Sequence, residues 1–145
     1  MKSSVLQEII VAKFGGSVLE NDGAIAQAAA LVRDTHQRGL GIVVVVSAMK
    51  GVTDNLLAMT KKVNPDVSPE MLDDVLALGE KTSARLVSAA LSAHGLRPVI
   101  IDTDSPIWPI ITDENHLDAN PIMEESRRRS EEFLLPLIKE GKIPI

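Results

Sequence analysis

Apolar residues follow two rhythms along this chain. Short unbroken runs, Ile9-Ile10-Val11-Ala12 and Ile42-Val43-Val44-Val45-Val46, alternate with longer stretches where apolar positions recur every three or four residues. An unbroken run bounded by glycine predicts a strand buried on both faces, as in a parallel sheet covered by helices. Ile25, Ala28, Ala29 and Val32 predict a helix that starts at the capping pair Asn21-Asp22, runs to about Arg38 and is closed by Gly39. A second helix is expected from Asp54 to Val63. A third, opened by Pro69, is expected from Glu70 to about Ser92, with Leu72, Val75, Leu76, Gly79, Ser83, Leu86, Val87 and Ala90 as its apolar stripe. Gly95 ends it before a third strand, Pro98 to Asp102.

The stretch from Thr103 to Pro121, rich in Pro, Asp, Asn and Thr, reads as an insertion over one end of the sheet, with Ile110-Ile111 the candidate for a short edge strand. A last helix is expected from Met123 to Glu140, and Lys142 to Ile145 begins another strand. Strand and helix thus alternate, which predicts right-handed β-α-β units and an α/β fold: a three-layer α/β/α sandwich with a mainly parallel sheet. Because the sequence stops as a strand begins, it is expected to be the front part of a longer protein.

The first run delivers a lysine into a glycine turn, Lys13-Phe14-Gly15-Gly16-Ser17. Glycine permits positive φ and close approach of a ligand to the backbone. Free N–H groups there, the next helix N-terminus and Lys13 would form an anion site suited to phosphate. An ordinary turn with a surface lysine is the plainer reading. The second strand ends in a similar way, in Ser47-Ala48-Met49-Lys50-Gly51-Val52-Thr53. Ligands of open α/β sheets bind at the carboxyl ends of neighbouring strands, so Lys13, Ser17, Ser47 and Thr53 are expected to share one crevice. Thr53 has two compatible readings, helix N-cap and ligand contact. Lys50 reads as a solvated loop lysine.

Glu80 falls inside the apolar stripe of the third helix, beside Leu76 and Val87, with Lys81 and Arg85 pointing the other way. A carboxylate on such a face needs a partner: a buried cation, water at the stripe edge, or a substrate ammonium. His36 lies in the last turn of its helix, a place for partial positive charge or plain exposure. Asp102, Asp104, Asp113 and His116 match no metal-ligand spacing and read as turn formers. Arg127-Arg128-Arg129, flanked by Glu124, Glu125, Glu131 and Glu132, read as a salt-bridged solvent face.

Composition narrows the classes. A net charge of -5 and 2% aromatic residues argue against a nucleic-acid surface. The absence of cysteine excludes disulfides and thiolate chemistry. No apolar run approaches the length of a membrane span, and Glu8 interrupts any signal-like segment, so a soluble cytoplasmic protein without a membrane partner is expected. There is no GxxxxGK[ST] run, and Gly39-x-Gly41 precedes a strand instead of following one. P-loop and dinucleotide fingerprints are therefore both absent.

Three stretches in order resemble the signatures of the aspartokinases, in the amino-acid kinase superfamily. Lys13-Phe14-Gly15-Gly16-Ser17-Val18 is similar to their KFGGTSV-type opening, with Ser17-Val18 where Thr-Ser is usual, which keeps the hydroxyl. Ser47 to Asp54 resembles their serine-alanine loop, and Leu78 to Ala84 resembles the helix that carries their glutamate. The similarity runs from about Ile9 to Ile145. It implies ATP-dependent phosphorylation of the β-carboxylate of L-aspartate, the first step of lysine, threonine and methionine biosynthesis, with Mg2+ held mainly by the ATP phosphates. By position, it places Lys13 against the transferring phosphoryl group. Gly15, Gly16, Ser17 and Ser47 fall on the phosphates, and Thr53 and Glu80 on the aspartate. It further implies that residues 1–145 are the aspartate and phosphate side of one kinase domain, inactive alone, with the nucleotide half and regulatory domains beyond Ile145, and that the protein is a homo-oligomer. The alternatives are acetylglutamate, glutamate or isopentenyl phosphate kinase, which share the lysine–glycine opening, and a non-catalytic half-domain.

Overall fold

The computed structural model describes residues 8–145. In chain order the elements are β1 (Ile9–Phe14), α1 (Asp22–Gln37), β2 (Gly41–Val46), α2 (Val52–Val63), α3 (Pro69–Ala93), β3 (Pro98–Val99), α4 (Met123–Lys139) and β4 (Ile143–Pro144). β1 pairs with β2 and β3 with β4, both parallel, in register Ile9 to Gly41 and Pro98 to Ile143. The helices start where capping chemistry allows. Asn21 accepts the Ala24 N–H at the head of α1, and Ser68 accepts the Met71 N–H at the head of α3, with Pro69 as its first residue.

The layers follow from strand alternation. Even-numbered side chains, Phe14, Ile42 and Val44, join Ala28, Val32, Val87 and Leu91 of α1 and α3 in the main core, together with Ile143 of β4 and Ile145 after it. Odd-numbered side chains face α4. A Cβ on Gly41 would lie 2.6 Å from Ile138 Cγ2 and 3.1 Å from Ile9 Cγ1, so that glycine is what lets α4 lie against the strand. The expected α/β sandwich with parallel strands is therefore present.

Four local expectations are corrected. The run in β1 is not fully buried: Ile9, Ile10 and Val11 are exposed, Val11 to 64%, and for Ile9 and Val11 the reason is that α4 covers only part of their face. Among the described residues the strands form two ladders and no continuous sheet. β2 spends its odd residues on β1, from Gly41 N–H on Glu8 to Ser47 N–H on Phe14, which turns its even residues toward β4. Facing them are Lys142, just before β4, whose N–H is taken by the Leu137 carbonyl, and Pro144 of β4, which has no N–H. The two strands lie side by side without a ladder. Ile110-Ile111 forms no strand, only Ile111 next to an isolated antiparallel bridge of Thr112 with Pro121. His36 is neither fully exposed nor partnered: its Nδ1 is buried without a hydrogen bond among the described residues.

The arginine run also departs from a uniform solvent face. Arg128 does pair with Glu125 and Glu132. Arg129 instead donates to the carbonyls of Trp108 and Pro106 and stacks 4.9 Å over the Phe133 ring, fastening the 103–121 insertion to α4. Asp113 does turn work, accepting from the N–H groups of Asn115 and Asn120 and from the Asn120 side chain. No helix among the described residues is long and apolar enough to cross a membrane.

Candidate functional site

Ala48, buried just past β2, is the point on which the three sequence motifs meet. The parallel ladder ends with the Ser47 N–H donating to the Phe14 carbonyl at 3.1 Å, which sets the serine loop beside the glycine turn. A Cβ on Gly16 would stand 2.7 Å from the Ala48 carbonyl oxygen, so only glycine permits this approach of the two loops. From the other side, Gly79 of α3 sits against the Ala48 methyl: a Cβ there would be 2.7 Å from Ala48 Cβ and 3.4 Å from Val52 Cγ1. That packing brings the next residue, Glu80, within reach, and its Oε1 accepts the Ala48 N–H at 3.2 Å.

Gly16 and Gly79 serve closeness, not unusual backbone angles. Positive φ belongs to Gly39, Gly51, Gly95 and Gly141, whereas Gly15 and Gly16 lack it, and Gly15 looks into open space. Gly15 accepts the N–H groups of Val18 and Leu19, making a tight turn, while no hydrogen bond among the described residues uses the N–H groups of Gly16 and Ser17. Lys13 and Ser17 are exposed, Ser47 is half-buried, and Lys13 makes no ion pair among the described residues. Alternation places Lys13 on the same strand face as Val11, at the carboxyl end of β1.

The helix N-terminus at this site is not the one expected. Asn21 already caps α1 through its side chain, and both α1 and α2 carry an acidic residue in the first turn, Asp22 and Asp54, so the caps alone distinguish them. The uncapped one is α2. Its N-cap is Gly51, at φ 78°, with no side-chain cap bond, and Thr53 is the second helical residue, so the N-cap reading of Thr53 is wrong. The Thr53 hydroxyl is left exposed near the Ser47 loop. Gly51 carries no side chain to betray it as a cap, so the sequence hid this point behind a good capping residue two positions later.

Glu80 is less buried than the helical stripe implied: the residue is exposed and its carboxylate reaches the loop at a part-buried point. Arg85 does point elsewhere, to Asp102 just past β3, whereas Lys81, paired with Asp104, is more buried than the opposite-face reading implied. The hydrogen bond with Asp104 holds the Lys81 ammonium above its ordinary value. Lys50, read as free in solvent, is exposed and 3.6 Å from Glu20.

A cleft of about 630 Å³ opens on the α4 side of the strands, walled by Val43, Val45, Trp108, Leu134 and Leu135. Among the seven candidate residues only Glu80 lines it. The cleft and the glycine turn therefore adjoin at Glu80, which lines the one and reaches the loop beside the other.

A glycine turn at the end of β1, a serine loop packed on it and a carboxylate from a facing helix thus meet at one point of an α/β fold. The Amino acid kinase family model matches residues 8–145, and the chain belongs to that family. Its relatives include an aspartate kinase of Pseudomonas putida, 30% identical over 138 residues, which covers 94% of this chain and 32% of that protein. An aspartokinase of Mycolicibacterium smegmatis is 37% identical over 87 residues, 60% of this chain and 21% of the relative. Among solved structures, Synechocystis aspartate kinase superposes with a TM-score of 0.71 at 29% identity, over 94% of this chain and 21% of that one. Escherichia coli aspartokinase III in complex with aspartate and ADP gives 0.78 at 19% identity, over 94% and 40%, which speaks for the fold alone. The chain spans about a third of the length of the first curated relatives.

Proposed function

We propose that these residues form the acceptor and phosphate side of an aspartate kinase, which transfers the γ-phosphoryl group of ATP to the β-carboxylate of L-aspartate. The observation that carries this reading is the convergence on Ala48 of the glycine turn, the serine loop and Glu80. The kinship with proteins named aspartate kinase supports it.

The donor set fits a polyphosphate. Unused N–H groups at Gly16 and Ser17, the turn at Gly15, the hydroxyls of Ser17 and Ser47 and the Lys13 ammonium are anion ligands. Lys13 neutralises charge on the transferring group, and Thr53 and Glu80 hold the amino acid, Glu80 through the α-ammonium. Mg2+ would supply charge neutralisation when bound with ATP, held mainly by the phosphates, since no group of three or more His, Cys, Asp or Glu side chains that could hold it lies among the described residues. A carboxylate nucleophile is already ionised, so the chain's own work is in-line positioning and charge stabilisation without a general base. The same reading makes residues 1–145 part of one kinase domain, and places the protein in the cytoplasm as a homo-oligomer working in lysine biosynthesis.

The test is trapping of the acyl phosphate with hydroxylamine, in the longest form of the protein that carries these residues. Wild type should form product only with L-aspartate, and Lys13→Ala should lower kcat by about 10²–10³-fold with little change in KM for aspartate. Preferential turnover of acetylglutamate, glutamate or isopentenyl phosphate would refute it. The 145-residue chain alone, a third of its relatives' length, should release no aspartate-dependent ADP.

A further inference from the structure

Glu80 has two oxygens, and only Oε1 is engaged, by the Ala48 N–H. Ala48 is held on three sides: its methyl lies against Gly79, its carbonyl against Gly16, and its N–H on Glu80. The peptide that Glu80 grips immediately follows Ser47, whose own N–H closes the ladder on Phe14. We propose that Glu80 is a positioning residue for the Ser47 loop as well as a receptor for an ammonium group. One carboxylate would thereby couple the ammonium-binding side of the site to the phosphate-binding side. The inference deepens the aspartate kinase reading and rests on it for the identity of the two ligands.

The coupling has a definite sign. An ammonium bound at Oε2 pins the carboxylate and so holds Oε1 on Ala48. That leaves less of the Ser47 loop to be ordered when phosphate binds. By linkage, a phosphate ligand that orders the loop favours the carboxylate orientation that receives the ammonium, by the same factor. The alternative is that Glu80 is a simple counter-charge whose contact with Ala48 does nothing.

Two substitutions separate these roles. Glu80→Gln keeps a carbonyl oxygen that can accept from Ala48 but loses the charge an ammonium needs. Glu80→Ala loses both. The first measurement uses the 145-residue chain without any ligand: amide hydrogen exchange at Ala48, read by NMR, with the amides of β2 as internal reference. Glu80→Ala should speed exchange at Ala48 by about three- to tenfold, and Glu80→Gln should leave it within about twofold of wild type. An unchanged rate in Glu80→Ala, or equal acceleration in both variants, overturns the positioning role.

The second measurement titrates the same three proteins with inorganic tripolyphosphate. Affinity should fall by about threefold or more in Glu80→Ala and hold in Glu80→Gln, and an equal fall in both again overturns the proposal. A chain that binds no tripolyphosphate in any form would instead count against the phosphate reading of the glycine turn, while the exchange experiment still decides the role of Glu80.

Discussion

Gly79→Ala is a substitution that ordinary helix energetics would favour and this structure forbids. In a helix interior alanine is worth about 1 kcal/mol over glycine. Here the new methyl would stand 2.7 Å from Ala48 Cβ and 3.4 Å from Val52 Cγ1. Carbon atoms rest at about 3.5–4.0 Å, so Ala48 must retreat by about 1 Å. Overpacking of this kind costs about 1–3 kcal/mol, leaving a net destabilisation of about 0–2 kcal/mol once the helix gain is subtracted. The geometric consequence is sharper than the energetic one. The Ala48–Glu80 hydrogen bond is already 3.2 Å long, and a retreat of that size breaks it. Urea unfolding followed by circular dichroism gives the stability change through the midpoint, and the Ala48 amide resonance reports the loop. A variant about 1 kcal/mol more stable than wild type, with that resonance unmoved, would refute the reasoning and show that α3 and the loop are not in tight contact.

Arg129→Ala should release the 103–121 insertion, since it removes two donors to the Trp108 and Pro106 carbonyls and the contact with Phe133. The cost is about 1–2 kcal/mol, and the emission of Trp108, the only tryptophan, should shift to the red, whereas unchanged emission would argue that the insertion is held by other contacts. Acid should loosen the 112–121 loop through Asp113, whose carboxyl is held below its ordinary value first by the Asn120 side chain and then by backbone N–H groups. The stabilisation is present above the unfolded value of 3.8 and is lost as pH falls through the lower folded value. An acid transition at the Asn120 amide should therefore vanish in Asp113→Asn, and its persistence would assign it to another group.

Much of this architecture was legible because it rests on local chemistry. Asn21 and Pro69 mark helix starts within a residue or two, and the apolar runs mark β1 and β2. Lys13, Gly15, Gly16, Ser17 and Ser47 stand out in the sequence because they follow apolar runs, and Glu80 because it interrupts an apolar stripe. What escaped were pairings decided across the chain. A capping threonine and a left-handed glycine compete at the head of α2, and only the turn geometry shows that Gly51 wins. Arg129 looks like its two neighbours until the insertion folds back to offer it carbonyl groups. Lys81 and Arg85 could be placed on a helix face, but not matched to Asp104 and Asp102, because those partners lie beyond a strand and its turn.

Proline at position 144 has a mechanical consequence. With no hydrogen bonds passing between β2 and β4, the molecule is built as two stiff plates that meet along a seam of side-chain packing alone. Shear within either plate must break backbone bonds, while flexing along the seam only slides apolar surfaces. α3 lies across that line as a splint, with Glu80 on Ala48 just past β2 and Arg85 on Asp102 just past β3. A change in the tilt of this single helix would therefore be felt at both plates at once, and the loops that carry Ser47 and Asp102 would move in concert.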